Sequence, residues 1–264
     1  MKLEVYMARF KGKHVLVTGA GSGIGKAISL RLSQEGACVS LVSRSKGNLE
    51  QTEQEIQSKG GKACVIPADI CSLEQINEAV KGSFDAFGPL SAVVANSGVG
   101  GPNSAGAEDR FKFLVETNLI GTYQTLRAAQ KYMNPDRKNA RHMVVISSCL
   151  ARFGVPGYTG YCASKAGLLG LVRALALELA SEQIQVNAIC PGWVETDMAR
   201  EGLQMMANEL QMSYDEAYSQ AMSAVPLGFM NQPQDIAGMV SWLISTDARG
   251  VTGQSLDINA GSWM

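Results

Sequence analysis

The sequence lacks a long apolar run and any block of like charge. Its longest uncharged stretch, residues 87–107, contains five glycines and two prolines, so it cannot supply the roughly 20 apolar residues of a membrane helix. The 23 Lys and Arg residues are balanced by 24 Asp and Glu, and no basic cluster occurs. Nucleic acids and anionic membranes attract clustered cations. We therefore expect neither as a partner.

The six cysteines form no CxxC pair and lie near no pair of histidines. That usage favours reduced, buried thiols over disulfides or a metal site. HExxH and GxSxG are also missing, which argues against metalloprotease and hydrolase chemistry. The first seven residues lack the apolar region of a secretory signal. We expect a cytoplasmic protein with no bound metal.

What the sequence does contain is an alternation of short β-branched runs with longer amphipathic segments. The predicted strands are 14–18, 37–42, 62–67, 90–95, 142–147, 184–190 and 255–258, and the predicted helices are 25–35, 49–59, 73–87, 116–132, 158–180 and 234–243. Near-continuous apolar strands in βα order indicate a doubly wound, Rossmann-like parallel α/β sheet of about seven strands with helices on both faces. We predict a single domain, 1–264.

A Met-rich segment of helical spacing interrupts this alternation after the sixth predicted strand. Ligands of open α/β folds bind at the carboxyl edge of the sheet, where this segment would lie. Its methionines suit either core filling or an adaptable cover over an apolar substrate. We predict a substrate lid at about 196–225.

A glycine-rich turn, Thr18 to Gly25, joins the first predicted strand to the first helix. Its spacing is GxxxGxG, which departs from GxGxxG, and no GK[ST] follows. Glycines allow close backbone approach, and a helix N-terminus offers free N–H groups to a pyrophosphate. The turn therefore predicts a dinucleotide site.

The end of the second predicted strand bears on the choice of dinucleotide. An acid there would accept from the ribose 2′-OH of NAD, but this sequence has Ser43 and Arg44 at that place and no acid before Glu50. Arginine suits a 2′-phosphate. We predict a preference for NADP(H), with NAD(H) as the alternative.

Tyr161 and Lys165 are four residues apart near the start of a predicted helix, which places them on one helix face. A nearby ammonium lowers the pKa of a phenol, so that Tyr161 can exchange a proton. Ser148 ends the predicted strand upstream, where its hydroxyl can bind a substrate carbonyl. Together these residues predict hydride transfer to a carbonyl with Tyr161 as the proton carrier.

With the glycine turn, these residues resemble the short-chain dehydrogenase/reductase family over residues 12–261, nearest its 3-oxoacyl and polyketide ketoreductase branch. The resemblance implies a catalytic tetrad of Asn118, Ser148, Tyr161 and Lys165, in which Asn118 holds a water and Lys165 also binds the nicotinamide ribose. It further implies cofactor contacts from Gly19, Ser22, Gly23, Ile24, Gly25, Ser43, Arg44, Asp69, Ile70, Asn96, Gly98, Tyr161, Lys165, Pro191, Gly192, Val194 and Thr196. Ala95 and Ser97 depart from the family's NNAG segment.

The same resemblance places Leu150, Phe153, Tyr158 and Trp193 beside Ser148 and Tyr161 in the substrate pocket. Such a pocket suits a bulky ketone or acyl thioester, and the family implies a homo-oligomer, either a tetramer or a dimer. Two alternatives remain open. One is an NAD-dependent 3-hydroxyacyl-CoA or secondary-alcohol dehydrogenase that works oxidatively, and the other is a silent nucleotide-binding subunit of a hetero-oligomer.

Overall fold

A parallel seven-stranded sheet forms the centre of the molecule, with the strand order β3-β2-β1-β4-β5-β6-β7. The computed structural model describes residues 9–136 and 140–264. The first seven residues, from which we predict that there is no secretory signal, lie outside the described residues. The strands are β1 (His14–Thr18), β2 (Cys38–Ser43), β3 (Lys62–Pro67), β4 (Ala92–Ala95), β5 (Arg141–Ile146), β6 (Ile184–Pro191) and β7 (Ser255–Ile258). The predicted doubly wound sheet is confirmed.

Helices cover both faces of the sheet because successive strand residues point to opposite sides. In β1, Leu16 joins one apolar core while Val15 and Val17 join the other. The helices are α1 (Gly23–Gln34), α2 (Lys46–Ser58), α3 (Leu73–Phe87), α4 (Phe111–Val115), α5 (Gly121–Gln130), α6 (Thr159–Glu178), α7 (Asp197–Glu209), α8 (Tyr214–Ser223) and α9 (Pro233–Leu243). The first core includes α3, α5 and α6, and the second includes α1, α2 and α9.

The helix predicted from residue 116 differs most from expectation. It begins earlier, at Phe111, and α4 and α5 are joined by one π-helical turn, Glu116–Ile120. A π turn inserts an extra residue and often marks a functional position. Its periodicity departs from 3.6 residues, which explains why the apolar pattern gave a helix that started too late.

The Met-rich segment folds as α7 and α8, which pack on each other through a small apolar cluster that includes Leu203, Met222 and Val225. Met222 is buried, whereas Met198 and Met205 are exposed. Met222 therefore fills a core, and the cover over a substrate stays a prediction for the exposed methionines. Within the part of the chain that the structure describes, no helix is long and apolar enough to cross a membrane.

Candidate active site

The glycine-rich turn leaves β1 at its carboxyl end and leads directly into α1. Gly19 has φ +66°, a conformation that side chains rarely adopt. A Cβ at Gly25 would lie 2.1 Å from the Gly19 carbonyl oxygen, so this glycine allows the turn to fold back on itself. The result is a compact backbone loop at a helix N-terminus, the arrangement that binds phosphate.

The segment after β4 is held against this loop. Asn96 Nδ2 donates to the Thr18 carbonyl oxygen at 3.0 Å, and the backbone N–H groups of Asn96 and Ser97 both donate to Thr18 Oγ1, at 3.1 and 3.0 Å. Two of these three bonds are donated by backbone N–H groups. Ser97 therefore makes its bond without using its side chain, although the family usually has another residue at this position. The predicted cofactor residue Asn96 thus fixes the shape of the loop.

A cavity of about 260 Å³ opens beside the glycine loop, lined by Gly19, Gly21, Ser22, Ser43, Arg44, Ser45 and Asn48. Arg44 is exposed and forms no ion pair with the described residues. None of the lining residues is acidic. The cavity therefore combines free backbone N–H groups with an available guanidinium, which suits a phosphate rather than a ribose hydroxyl.

Asp69 and Ile70, two of the predicted cofactor contacts, follow β3. Asp69 Oδ1 accepts from the Cys71 N–H at 2.9 Å, and the Asp69 N–H donates to Gln75 Oε1 at 2.9 Å. Ile70 is buried, and a Cβ at Gly121 would meet its Cδ1 at 2.8 Å. Both residues thereby fix the turn into α3, with Ile70 also packing against the start of α5.

Tyr161, Lys165 and Ser148 converge where β5 ends and α6 begins. The Lys165 Nζ donates to the Ile146 carbonyl oxygen at 3.0 Å and lies 5.7 Å from the centroid of the Tyr161 ring. Ser147 Oγ donates to the Lys165 carbonyl oxygen at 2.9 Å. These bonds attach α6 to the end of β5 and so set the positions of the three side chains.

Burial dominates the electrostatics of this group. It raises the pKa of Tyr161 to about 12, although a hydrogen bond with Ser148 opposes the rise. Burial also lowers the pKa of Lys165 to about 8. The expectation that Lys165 lowers the Tyr161 pKa is thus not met in this structure, since loss of solvation has the larger effect.

Asn118 lies in the π turn and is fully buried. Its Oδ1 accepts from the Val99 N–H at 2.8 Å, while its Nδ2 donates to the Val99 carbonyl oxygen at 3.0 Å and to Ser164 Oγ at 3.1 Å. A Cβ at Gly98 would lie 3.0 Å from Asn118 Oδ1 and 3.4 Å from Lys165 Nζ. Asn118 therefore ties the segment after β4 to α6 beside Lys165.

The segment after β6 returns to the glycine loop. Thr196 caps α7 by accepting from the Ala199 N–H at 3.4 Å and donates to the Val194 carbonyl oxygen at 3.2 Å. A Cβ at Gly23 would meet Thr196 Cγ2 at 3.1 Å. Pro191 ends β6, and a Cβ at Gly192 would lie 2.9 Å from the Cα of Asn259. The structure thus brings the predicted contacts at 23 and 196 together.

The four predicted substrate residues have different surroundings. Burial raises the pKa of Tyr158, and the negative charge of Glu209, at the end of α7, raises it further. Trp193 packs against the small α7–α8 cluster, and Phe153 stacks on Trp263 with ring centroids 5.7 Å apart. Leu150 is half-buried, and its N–H donates to Ser148 Oγ at 3.1 Å.

Met198 approaches Tyr161 from α7. A Cβ at Gly100 would lie 3.0 Å from Met198 Sδ and 3.9 Å from Tyr161 Cε2, so the two side chains flank this glycine. In the sequence, Met198 is only one of several methionines of the predicted lid. Its position over Gly100 depends on the direction of α7, which periodicity does not supply.

Two asparagines contribute to the site without having been predicted. Asn48 lines the cavity beside Arg44. Asn103 Oδ1 accepts from the Gly160 N–H at 2.8 Å at the start of α6, and its Nδ2 donates to Thr159 Oγ1 and to Asp109 Oδ1, each at 3.0 Å. A lone Asn in a Gly- and Pro-rich loop signals a turn and gives no sign of such a distant partner.

Comparisons with known proteins agree with this geometry. The family model described as short chain dehydrogenase matches residues 13–207. A putative ketoacyl reductase of Streptomyces coelicolor is 35% identical over 257 residues, covering 97% of this chain and 98% of its own. The 3-oxoacyl-(acyl-carrier-protein) reductase FabG of Staphylococcus aureus is 34% identical over 255 residues, with 96% and 98% covered.

Among solved structures, a variant of actinorhodin polyketide ketoreductase crystallised with NADPH superposes with a TM-score of 0.90. It is 35% identical in sequence, and the match covers 95% of this chain and 97% of that one. The similarity therefore extends over nearly the whole of both chains.

Proposed function

The chain belongs to the short-chain dehydrogenase/reductase family of oxidoreductases, and we propose that it is an NADPH-dependent reductase of 3-oxoacyl thioesters or related ketones. The observation that carries the proposal is the convergence of Ser148, Tyr161 and Lys165 at the end of β5, on the sheet edge where the glycine loop leaves β1. Both relatives named above are reductases of acyl ketones by name.

The residues at the glycine loop fit NADP(H). Gly19 to Gly25 would hold the pyrophosphate at the α1 N-terminus, and Arg44 would pair with the 2′-phosphate in the acid-free cavity. When bound, NADPH supplies a hydride to the carbonyl carbon. The segment of Pro191 to Thr196 would hold the nicotinamide end, and Lys165 its ribose.

The chain's own residues supply the proton and the orientation. Ser148 donates a hydrogen bond to the carbonyl oxygen, and Tyr161 gives that oxygen its phenolic proton as the alcohol forms. Because burial keeps the Tyr161 pKa near 12, the phenol holds its proton at neutral pH and is ready as an acid. The Lys165 ammonium stabilises the phenolate that remains.

A lid over the pocket is the second part of the proposal. We assign it to α7 and α8, about residues 196–225, with the whole chain as one domain. Met198 flanks Gly100 together with Tyr161, and Trp193 packs against the lid's own apolar cluster. An apolar, adaptable cover suits an acyl chain better than a polar sugar or amino acid.

We also propose a cytoplasmic homo-oligomer. Ile120 and Tyr123 are exposed near the start of α5, and Leu177, near the end of α6, is 82% exposed. A row of apolar side chains on two neighbouring helices is typical of a protein interface. The six cysteines are free thiols, as expected in a reducing compartment. Light scattering on the purified chain measures the stoichiometry.

The enzymatic proposal is tested by following NADPH consumption when the purified chain alone meets a panel of 3-oxoacyl thioesters and simple ketones. We expect turnover with at least one thioester and a kcat/KM for NADPH well above that for NADH. A clear NADH preference would favour the oxidative NAD-dependent alternative. Cofactor binding without any turnover would favour the silent subunit, although the four retained tetrad residues argue against it.

A further inference from the structure

A second cavity, of about 690 Å³, lies at the opposite edge of the sheet from the glycine loop. The starts of four strands line it through Val15, Ala92, His142 and Ile184. The predicted reaction takes place at the carboxyl ends of the strands, so this cavity has no part in it. Its volume falls within the range of about 300–1,000 Å³ that is typical of small-molecule sites.

A buried imidazole without a partner faces this cavity. His142 lines it and is only 3% exposed, yet neither Nδ1 nor Nε2 has a hydrogen-bond partner among the described residues. Leaving a buried polar group unpaired is costly, and native structures rarely do so without a bound water, ion or ligand. His14 makes the contrast clear, because both of its ring nitrogens are partnered, by Gly88 and Ser40.

The charge of the cavity has one sign. Arg9, Lys13 and Arg249 line it, and none of its described lining residues is acidic. Arg9 is bound by Asp247, which lies outside the lining. Arg249 is exposed and forms no ion pair with any of the described residues. In a chain of net charge −1, a cavity whose charged lining residues are all cations attracts anions.

The rest of the lining combines apolar residues with uncharged polar ones, namely Ser91, Gln183, Gln185, Ser245, Thr246 and Thr252. Phe10, Val15, Ile184 and Ile244 line the cavity and belong to the buried part of the molecule. An inorganic phosphate or sulfate would gain nothing from these side chains, whereas an amphipathic molecule would bury its hydrocarbon part against them. The imidazole supplies one N–H donor beside this surface.

From this combination we propose that the cavity is a binding site for an organic carboxylate with an apolar body. The carboxylate pairs with Arg249 and accepts the His142 N–H, and the hydrocarbon part lies against Phe10, Ile184 and Ile244. The site is independent of the proposed reductase activity, because it shares no residue with the glycine loop or the tetrad. It gives the chain a place at which a small acid can bind without competing for the active site.

The chain's two histidines make a direct test practical. Octanoate is titrated into the full-length protein while the imidazole ¹⁵N signals are recorded by NMR, with His142→Gln used to assign the pair. We expect a saturable change in the His142 signals and little change in those of His14. A His142 signal that does not respond to octanoate overturns the proposal.

Two comparisons separate this site from binding elsewhere. Arg249→Gln should weaken octanoate binding by about tenfold, the value of one hydrogen bond to a charged group, with an unchanged melting temperature. Arg173→Gln, an exposed arginine on α6 outside the cavity, is the matched control and should leave the affinity unchanged. Octan-1-ol, the uncharged alcohol of the same chain length, tests whether binding depends on the carboxylate charge. Equal affinity for octanol, or for octanoate in Arg249→Gln, contradicts the assignment.

Discussion

The Lys165 ammonium lies beside the Tyr161 ring, 5.7 Å from its centroid, but donates its hydrogen bond to the Ile146 carbonyl oxygen. Both side chains are desolvated, and burial moves their pKa values toward the neutral forms, to about 8 for Lys165 and about 12 for Tyr161. The pair is thus set up as a neutral phenol next to a lysine that titrates near neutrality. That arrangement favours proton donation by Tyr161 at physiological pH.

The pH dependence of reduction follows from these two values. Lys165 is charged below about pH 8 and loses its proton as the pH rises through that value, whereas Tyr161 stays protonated to about pH 12. We therefore expect kcat/KM for carbonyl reduction to fall above about pH 8. A profile that stays flat from pH 7 to pH 10 would show that the charge on Lys165 is not needed.

We expect the choice of cofactor to depend on Arg44. Replacing it by Glu puts a negative charge in the cavity beside Ser43 and Asn48, so NADPH affinity should fall by at least about tenfold while NADH affinity changes little. Cofactor fluorescence titration gives both constants. Arg173→Glu, on the exposed side of α6, is the control for the change in net charge. An equal loss for the two cofactors would place Arg44 away from the 2′-phosphate.

The sequence predicted those features that local pattern determines. Apolar strands in βα order gave the sheet, and the Gly19–Gly25 spacing and the Tyr161–Lys165 interval marked the two ends of the site. The fold class and family predictions are confirmed. The pKa of Tyr161 had the opposite direction to the one expected, because neighbours in sequence reveal a charge but do not reveal how much water the fold removes.

Other parts of the site depend on tertiary contacts. Asn103 is hydrogen-bonded to Gly160, 57 positions away in the sequence. The π turn around Asn118 departs from the 3.6-residue period from which helices are predicted. His142 is the second residue of the interior strand β5, and its side chain is buried next to a cavity that the sequence did not indicate. No spacing rule relates such residues to one another.

Asn103 should act as a positioning residue for α6. Asn103→Ala removes its bonds to Gly160, Thr159 and Asp109, so the start of the helix that carries Tyr161 loses support. We expect kcat to fall by about tenfold with an unchanged dissociation constant for NADPH, and a loss of about 1 kcal/mol in the free energy of unfolding. Asn77→Ala on α3, whose side chain bonds only within its own helix, should leave kcat unchanged. A loss of NADPH binding in Asn103→Ala would point to a general structural defect.

Acid sensitivity should arise partly from His142. Burial lowers its pKa from 6.5 to about 4, so the unfolded chain binds a proton between those values that the folded chain does not. The free energy of unfolding therefore falls as the pH drops from 6.5 to 4, by on the order of 3 kcal/mol from this group. Urea unfolding of wild type and His142→Gln across this window measures the difference. Parallel curves for the two proteins would contradict it.

The most direct test of the account is the turnover of Tyr161→Phe. This substitution removes the proton donor and leaves the ring, the glycine loop and the Arg44 cavity in place. With a 3-oxoacyl thioester and NADPH, we predict that kcat falls by at least about a hundredfold, while NADPH binds the variant as tightly as it binds the wild type. A near-normal kcat in Tyr161→Phe would show that another group delivers the proton and would contradict the central claim.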